Sequence, residues 1–182
     1  MISYKQSKRI LKSSKIKIKN EIIKTNDCLN RISSENIKSN SNNPLGDNAA
    51  FDGYAINSKD TKNLNLKNTK LFKILRTVAA GDKPNHKKIK KFQTVEIMTG
   101  GLLPKGFDTI IPIEQIIYHP NRKNPKNIVI NKKIKKNQHV RFKGSDYKKN
   151  DLIIKKGTIL QSNHILALKT LGITNIKVKK NT

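Results

Sequence analysis

Residues 95–115 read VEIMTGGLLPKGFDTIIPIEQ, and the organisation of the whole chain can be worked outward from them. From Phe92 to Met98 the pattern alternates: Phe92, Thr94, Glu96 and Met98 fall on one face, Val95 and Ile97 on the other, which predicts a strand. TGGLLPKGFD (99–108) is a Gly/Pro loop, and TIIPI (109–113) is a continuous apolar run of the kind that forms a buried strand. Pro112 lacks the N–H a ladder needs, so this second strand should end there or lie at a sheet edge.

Upstream, LFKIL (71–75) predicts a strand turned by VAAGDKP (78–84), and Asp60–Asn68 reads as a loop. NAAFDGYAI (48–56) enters a strand at Tyr54-Ala55-Ile56. SNSNNP (39–44) reads as a polar linker. A short helix over 3–13 with Ser3 as N-cap, an edge strand at KIKIK (15–19) and a second short helix over 27–32 are expected nearer the N-terminus. The first helix is weakly amphipathic, marginal alone in water, and needs something to pack on.

Downstream, IIYHPNRKNPKNIVI (116–130) predicts a hairpin with a long Pro/Asn turn, and DLIIKKGTIL (151–160) a second one turning at Gly157. A helix follows, capped by Ser162 and stopped by Gly172, with Lys169 in its last turn. Thr174, Ile176 and Val178 alternate as a final strand. The sum is a mostly β chain with flanking helices, of the α+β class. It suits a β-rich domain (47–140) inserted into an elongated domain built from two segments (1–46 and 141–182).

The 182 residues carry a formal net charge of +27, with 35% apolar and 5% aromatic residues. Charge of that size ordinarily points to nucleic acid or an anionic membrane. Only five of the 39 basic residues are arginine, the side chain that reads bases and phosphates through a bidentate fork. The lysines are spread along the chain and rise together with Asn and Ile, the joint excess that an A/T-rich coding sequence produces. Compositional drift therefore competes with a selected polyanion surface, and no specific nucleic-acid partner is expected. Cys28 is the one cysteine, so no internal disulfide and no cysteine-based metal site can form. No apolar run reaches the length of a signal core or a membrane span. A soluble, cytoplasmic protein without a membrane partner is expected.

Four histidines, His86, His119, His139 and His164, show no metal-ligand spacing. Two loops are more informative, one holding Asp52-Gly53-Tyr54 and the other Met98-Thr99-Gly100-Gly101. Asp52 is flanked by Phe51 and Gly53 in a chain with only 12 acidic residues. Such a carboxylate can simply reverse the chain, or it can hold a hydrated Mg²⁺, which takes one or two carboxylates plus substrate oxygens. Thr99 offers a hydroxyl, and the glycines bare N–H groups, to an anion. The bland alternative for the glycines is a tight turn.

NAAFDGYAI, VAAGDKP, VEIMTGGLLPKGFDTIIPIEQ, HVRFKGSDYKKNDLIIKKGTIL and ALKTLGITNIKV, in that order, resemble successive motifs of the molybdopterin molybdenumtransferases, the MoeA proteins related to the gephyrin E domain. Ala49 stands for the family's usual serine, Phe51 for methionine and Gly101 for alanine. Only the family's N-terminal region is covered. The resemblance implies an elongated domain interrupted by a β-rich one, with the pterin-binding and C-terminal β-barrel domains absent. It implies an enzyme that uses Mg²⁺, molybdate and adenylylated molybdopterin to give the molybdenum cofactor and AMP. Asp52 and Thr99 would be its catalytic residues and Asp52 the metal ligand, with Gly53, Tyr54, Gly100 and Gly101 against the bound cofactor. A homodimer formed through the elongated domain is implied, as is docking of the pterin-binding domain of the same or a partner chain. Taken as a fragment, the chain is expected to be inactive alone. The alternative is a non-catalytic dimerisation or scaffold module of the same pathway.

Overall fold

The computed structural model describes residues 2–14, 17–83 and 88–180. In chain order the elements are helix α1 (Tyr4–Ser13), then strands β1 (Asn20–Lys24), β2 (Ile37–Lys38), β3 (Asn48–Ala49), β4 (Gly53–Ile56), β5 (Lys70–Val78) and β6 (Gln93–Ile97). They continue with β7 (Thr109–Pro112), β8 (Ile117–His119), β9 (Asn127–Ile130), β10 (Val140–Arg141) and β11 (Leu152–Ile154), and close with helix α2 (Ser162–Thr170) and β12 (Asn175–Lys179). The chain is mostly β with two α-helices, as expected. Two compact units result, one from Met1–Asn40 with Lys149–Thr182, the other from Ser41–Lys148. The sequence-based junctions, 46/47 and 140/141, lie a few residues inside the second unit. The reason is that its two ends bond to each other: Asn43 N–H donates to Tyr147 O (2.8 Å) and Gly144 N–H to Pro44 O (3.0 Å). Residues 41–44 of the expected linker are thus part of the second unit's hydrogen-bonded structure.

In the first unit β1 pairs with β12, and β2 with β11, both antiparallel. Leu160, Leu168, Ile176 and Val178 close over Cys28, Ile37 and Ile154. Each fully buried aliphatic side chain contributes about 1.5–3 kcal/mol. Helix α1 starts at Ser3 through a reciprocal cap, Ser3 N–H to Gln6 Oε1 (2.8 Å) and Gln6 N–H to Ser3 Oγ (3.3 Å), and it buries none of its residues.

Several local expectations in this unit need correction. Of the expected strand 15–19, Lys15 and Ile16 lie outside the described residues, and the pairing starts at Asn20 instead. No α-helix forms over 27–32. A 3-10 turn covers Thr25–Asp27, and Asn30 takes φ 61°. Ile32 and Ser33 then bridge to Ile159 and Val178, so long-range pairing overrides the local helical pattern. The arms of the expected 151–160 hairpin likewise pair with 32–38 rather than with each other. Helix α2 is preceded by Gln161, one residue before the expected cap, and Gln161 N–H donates to His164 Nδ1 (3.0 Å).

The second unit holds a six-stranded sheet in the order β7-β4-β6-β5-β9-β8. Only β5 and β6 run parallel, and the β8–β9 hairpin is the expected one. β7 is at an edge, where Pro112 costs no ladder bond. All four residues of β4 are buried because the sheet is covered on both faces. Tyr54 and Ile56 face a cluster with Phe72, Ile111 and Ile128, while Ala55 faces Val95, Ile97 and Ile110. Buried hydroxyls pin the 132–139 segment to this frame. Thr61 Oγ1 accepts from Ile134 N–H (2.9 Å), and Thr109 Oγ1 accepts from Gln138 N–H (3.1 Å).

Candidate functional site

The two loops singled out in the sequence meet at the start of β4. Ala49 N–H donates to Gly101 O, Gly100 N–H donates to Ala49 O, both at 2.9 Å, and Ile113 N–H holds Asp52 O at 3.0 Å. Across this brace Asp52 Oδ1 accepts two hydrogen bonds from one residue, the Thr99 backbone N–H at 2.6 Å and the Thr99 hydroxyl at 2.7 Å. The 98–101 loop is itself a turn closed by Gly101 N–H to Met98 O (2.8 Å), with Gly100 at φ +80°.

Gly53 is fixed by close approach. A Cβ there would lie 2.1 Å from the Ile111 carbonyl oxygen, on the neighbouring strand β7. Gly101 is similarly confined, with Met98 O at 2.9 Å and Val78 O at 3.1 Å from an added Cβ. These glycines therefore let two backbones touch, and so bring Asp52 within reach of Thr99.

Asp52 is exposed, yet its carboxyl titrates below the ordinary aspartate value, first because the Thr99 hydroxyl donates to it and then because the Thr99 N–H does. It is ionised at neutral pH. Its second oxygen, Oδ2, accepts no hydrogen bond among the described residues. The single hydroxyl proton of Thr99 is already given to Asp52, so this side chain orients the carboxylate.

The remaining expected site residues are distributed as follows. Gly53, Gly100 and Gly101 belong to the junction. The Tyr54 side chain is turned into the core, 2% exposed, edge-on to Tyr118 at 6.1 Å, and burial pushes its hydroxyl well above the ordinary phenol value. One contact beside the site escapes sequence reading. His139, at φ 56°, receives the exposed Phe51 ring edge-on at 5.0 Å, and its carbonyl accepts from Ala50 N–H. No spacing rule connects positions 51 and 139. Asp108, within the Pro/Gly loop motif, accepts from Ser58 N–H (2.7 Å) and Ser58 Oγ (2.9 Å) and so anchors a 3-10 turn.

No group of three or more His, Cys, Asp or Glu side chains that could hold a metal occurs among the described residues, and His86 lies outside them. The donor set at Asp52 is one exposed carboxylate oxygen, which suits a largely hydrated Mg²⁺ completed by oxygens from elsewhere, and does not suit a caged structural ion. No helix among the described residues is long and apolar enough to cross a membrane.

A family model described as the MoeA N-terminal region (domain I and II) matches residues 2–172. A molybdopterin molybdenumtransferase of Staphylococcus epidermidis is 30% identical over 180 residues, covering 98% of this chain and 41% of the relative. One from Staphylococcus aureus is 32% identical over 152 residues, covering 84% of this chain and 35% of the relative. A crystal structure of a molybdopterin biosynthesis MoeA protein from Pyrococcus horikoshii superposes with TM-score 0.87 at 30% identity, over 99% of this chain and 44% of that one. The chain thus spans about two-fifths of the length of the relatives it matches.

Proposed function

Because this chain belongs to the MoeA N-terminal region family, whose model matches residues 2–172, we propose that it is the N-terminal part of a molybdenum-insertion enzyme of molybdenum cofactor biosynthesis. The reaction takes molybdate and adenylylated molybdopterin to the molybdenum cofactor and AMP. The observation that carries the reading is the Asp52–Thr99 junction, a carboxylate held through one oxygen and open at the other. The mapping of Asp52 and Thr99 onto the functional aspartate and threonine of the family comes from the motif resemblance.

In this reading Asp52 Oδ2 would hold Mg²⁺, an ion that takes one or two carboxylates plus other oxygens. When bound, Mg²⁺ would supply positive charge that stabilises anionic oxygens of the substrate. Thr99 keeps Oδ1 occupied, so the carboxylate cannot swing away from that position. The braces at Ala49 and Ile113 fix the backbone on either side of Asp52. Gly53 and Gly101 leave room for the strands behind the site to close up. Tyr54 contributes from the core, by fixing the strand that follows Asp52. The pterin-binding surface comes from a further domain of the same or a partner chain. Homodimerisation through the first unit and a cytoplasmic location complete the proposal.

The test is a chimera in which this chain replaces the matching part of the Staphylococcus epidermidis relative, assayed for molybdenum insertion in vitro. The chimera should turn over, and Asp52→Ala should abolish turnover while leaving the circular dichroism spectrum unchanged. A folded Asp52→Ala chimera with normal cofactor yield would remove Asp52 from the mechanism.

A further inference from the structure

A cleft in the second unit has a volume of about 470 Å³, and none of its lining residues is Asp52 or Thr99. Its walls are aliphatic, with Leu45, Leu102 and Leu103 prominent, and most of the lining surface is apolar. At its side, from strand β5, comes Arg76. Arg76 is partly exposed as a residue, and its guanidinium makes no hydrogen bond or ion pair among the described residues. Its five donors are therefore free to take up an oxyanion that enters the cleft. Arginine is also the rare basic residue in this chain, five among 39, so Arg76 is not accounted for by the general excess of lysine.

The two carboxylates at the cleft do not pair with it. Asp47 Oδ1 accepts from Lys143 N–H (2.9 Å), a long-range tie, and Asp82 Oδ2 accepts from Ala79 N–H (2.8 Å), which closes a turn. Lys83 and Lys105 also line the cleft, giving three cations against two carboxylates. The volume falls in the range of small-ligand sites, which are apolar with a few placed polar groups.

We propose that this cleft binds a small organic anion, a flat ring carrying a phosphate or carboxylate, with the ring between the leucines and the oxyanion on Arg76. Planar, bidentate recognition of such an oxyanion is what a guanidinium provides and a lysine does not. The proposal stands independently of the molybdenum-insertion reading, since it uses neither Asp52 nor Thr99.

The experiment is a titration of the folded chain, followed by methyl and amide NMR, with three probes: phenyl phosphate, benzoate and inorganic phosphate. At fixed moderate salt the two ring-bearing anions should shift the Leu102 and Leu103 methyl signals at concentrations where inorganic phosphate does not. The stronger of the two identifies phosphate or carboxylate as the preferred group. Arg76→Gln should weaken that binding at least about tenfold. Lys123→Gln, which removes the same single charge from an exposed position outside the cleft, should change it less than about twofold. Diffuse attraction to a +27 surface would be nearly blind to which of these charges is lost. Equal losses in the two variants, inorganic phosphate competing as well as the ring-bearing anions, or no shift at the Leu102 and Leu103 methyls of the wild-type chain would each overturn the proposal.

Discussion

Gly53→Ala tests how the junction is built. An added Cβ meets the Ile111 carbonyl oxygen at 2.1 Å, the Ile111 carbonyl carbon at 2.9 Å and Pro112 Cα at 3.1 Å, all of them backbone. Ordinary contact needs about 1 Å more, and no flexible side chain can yield it, so β4 and β7 must separate at this end. The register there pairs Gly53 with Pro112 and Tyr54 with Ile111. Losing one or two ladder bonds costs about 1–3 kcal/mol, and forcing a methyl into a packed site about 1–3 more. The expected total is about 2–6 kcal/mol, read as a lower urea midpoint at unchanged slope. Gly157→Ala is the control. Gly157 sits at φ +87° with nothing within 4 Å of an added Cβ, so only the backbone term of about 1–2 kcal/mol remains. If Gly53→Ala unfolds within about 1 kcal/mol of the parent, or costs no more than Gly157→Ala, the close-approach explanation of the Asp-Gly-Tyr motif is wrong.

Other expectations follow from the same geometry. Thr99→Val removes the hydroxyl but keeps the backbone N–H, so the Asp52 side-chain carboxyl followed by NMR should titrate at higher pH than in the parent. An unchanged midpoint would mean the hydroxyl does not hold the carboxylate. Both parent and variant should lose their Asp52 negative charge only in acid, the variant first as pH falls. Cys28 is fully buried, burial raises its thiol pKa, and its thiol donates to Thr25 O (3.0 Å), so a disulfide reagent should leave it unmodified until denaturant is added. Rapid modification of the folded chain would contradict the packing of the first unit. Binding to duplex DNA, driven by the net charge, should show no sequence preference and fall steeply between 50 and about 200 mM salt. Tight, sequence-selective binding at the higher salt would favour a selected polyanion surface over compositional drift.

Much of the second unit was legible because its signals are local. Val95 and Ile97 alternate, 109–113 is a short apolar run closed by proline, and the Pro/Asn turn separates β8 from β9. The first unit was harder to read because its pairings are long-range. Asn20–Lys24 finds Asn175–Lys179 across the chain, and residues 27–32, helical by composition, are drawn out by bridges to Ile159 and Val178. The site was legible as two loops of small residues around Asp52 and Thr99. That the hydroxyl faces the carboxylate could not be read, since it depends on a strand contact at Gly53 some 58 residues from Ile111 in sequence. The Phe51–His139 contact has no sequence signal for the same reason. Arg76 could have been flagged by its rarity, but that it pairs with none of the described residues depends on packing.

The central claim is that Asp52 presents one oxygen to a cation while Thr99 holds the other. Titrating the chain with Mn²⁺ as a paramagnetic stand-in for Mg²⁺ and mapping amide line broadening tests it directly. Broadening should centre on Asp52, Thr99 and Ile113, be displaced by excess Mg²⁺, and vanish in Asp52→Asn. Broadening centred on other carboxylates, or an unchanged pattern in Asp52→Asn, would contradict it.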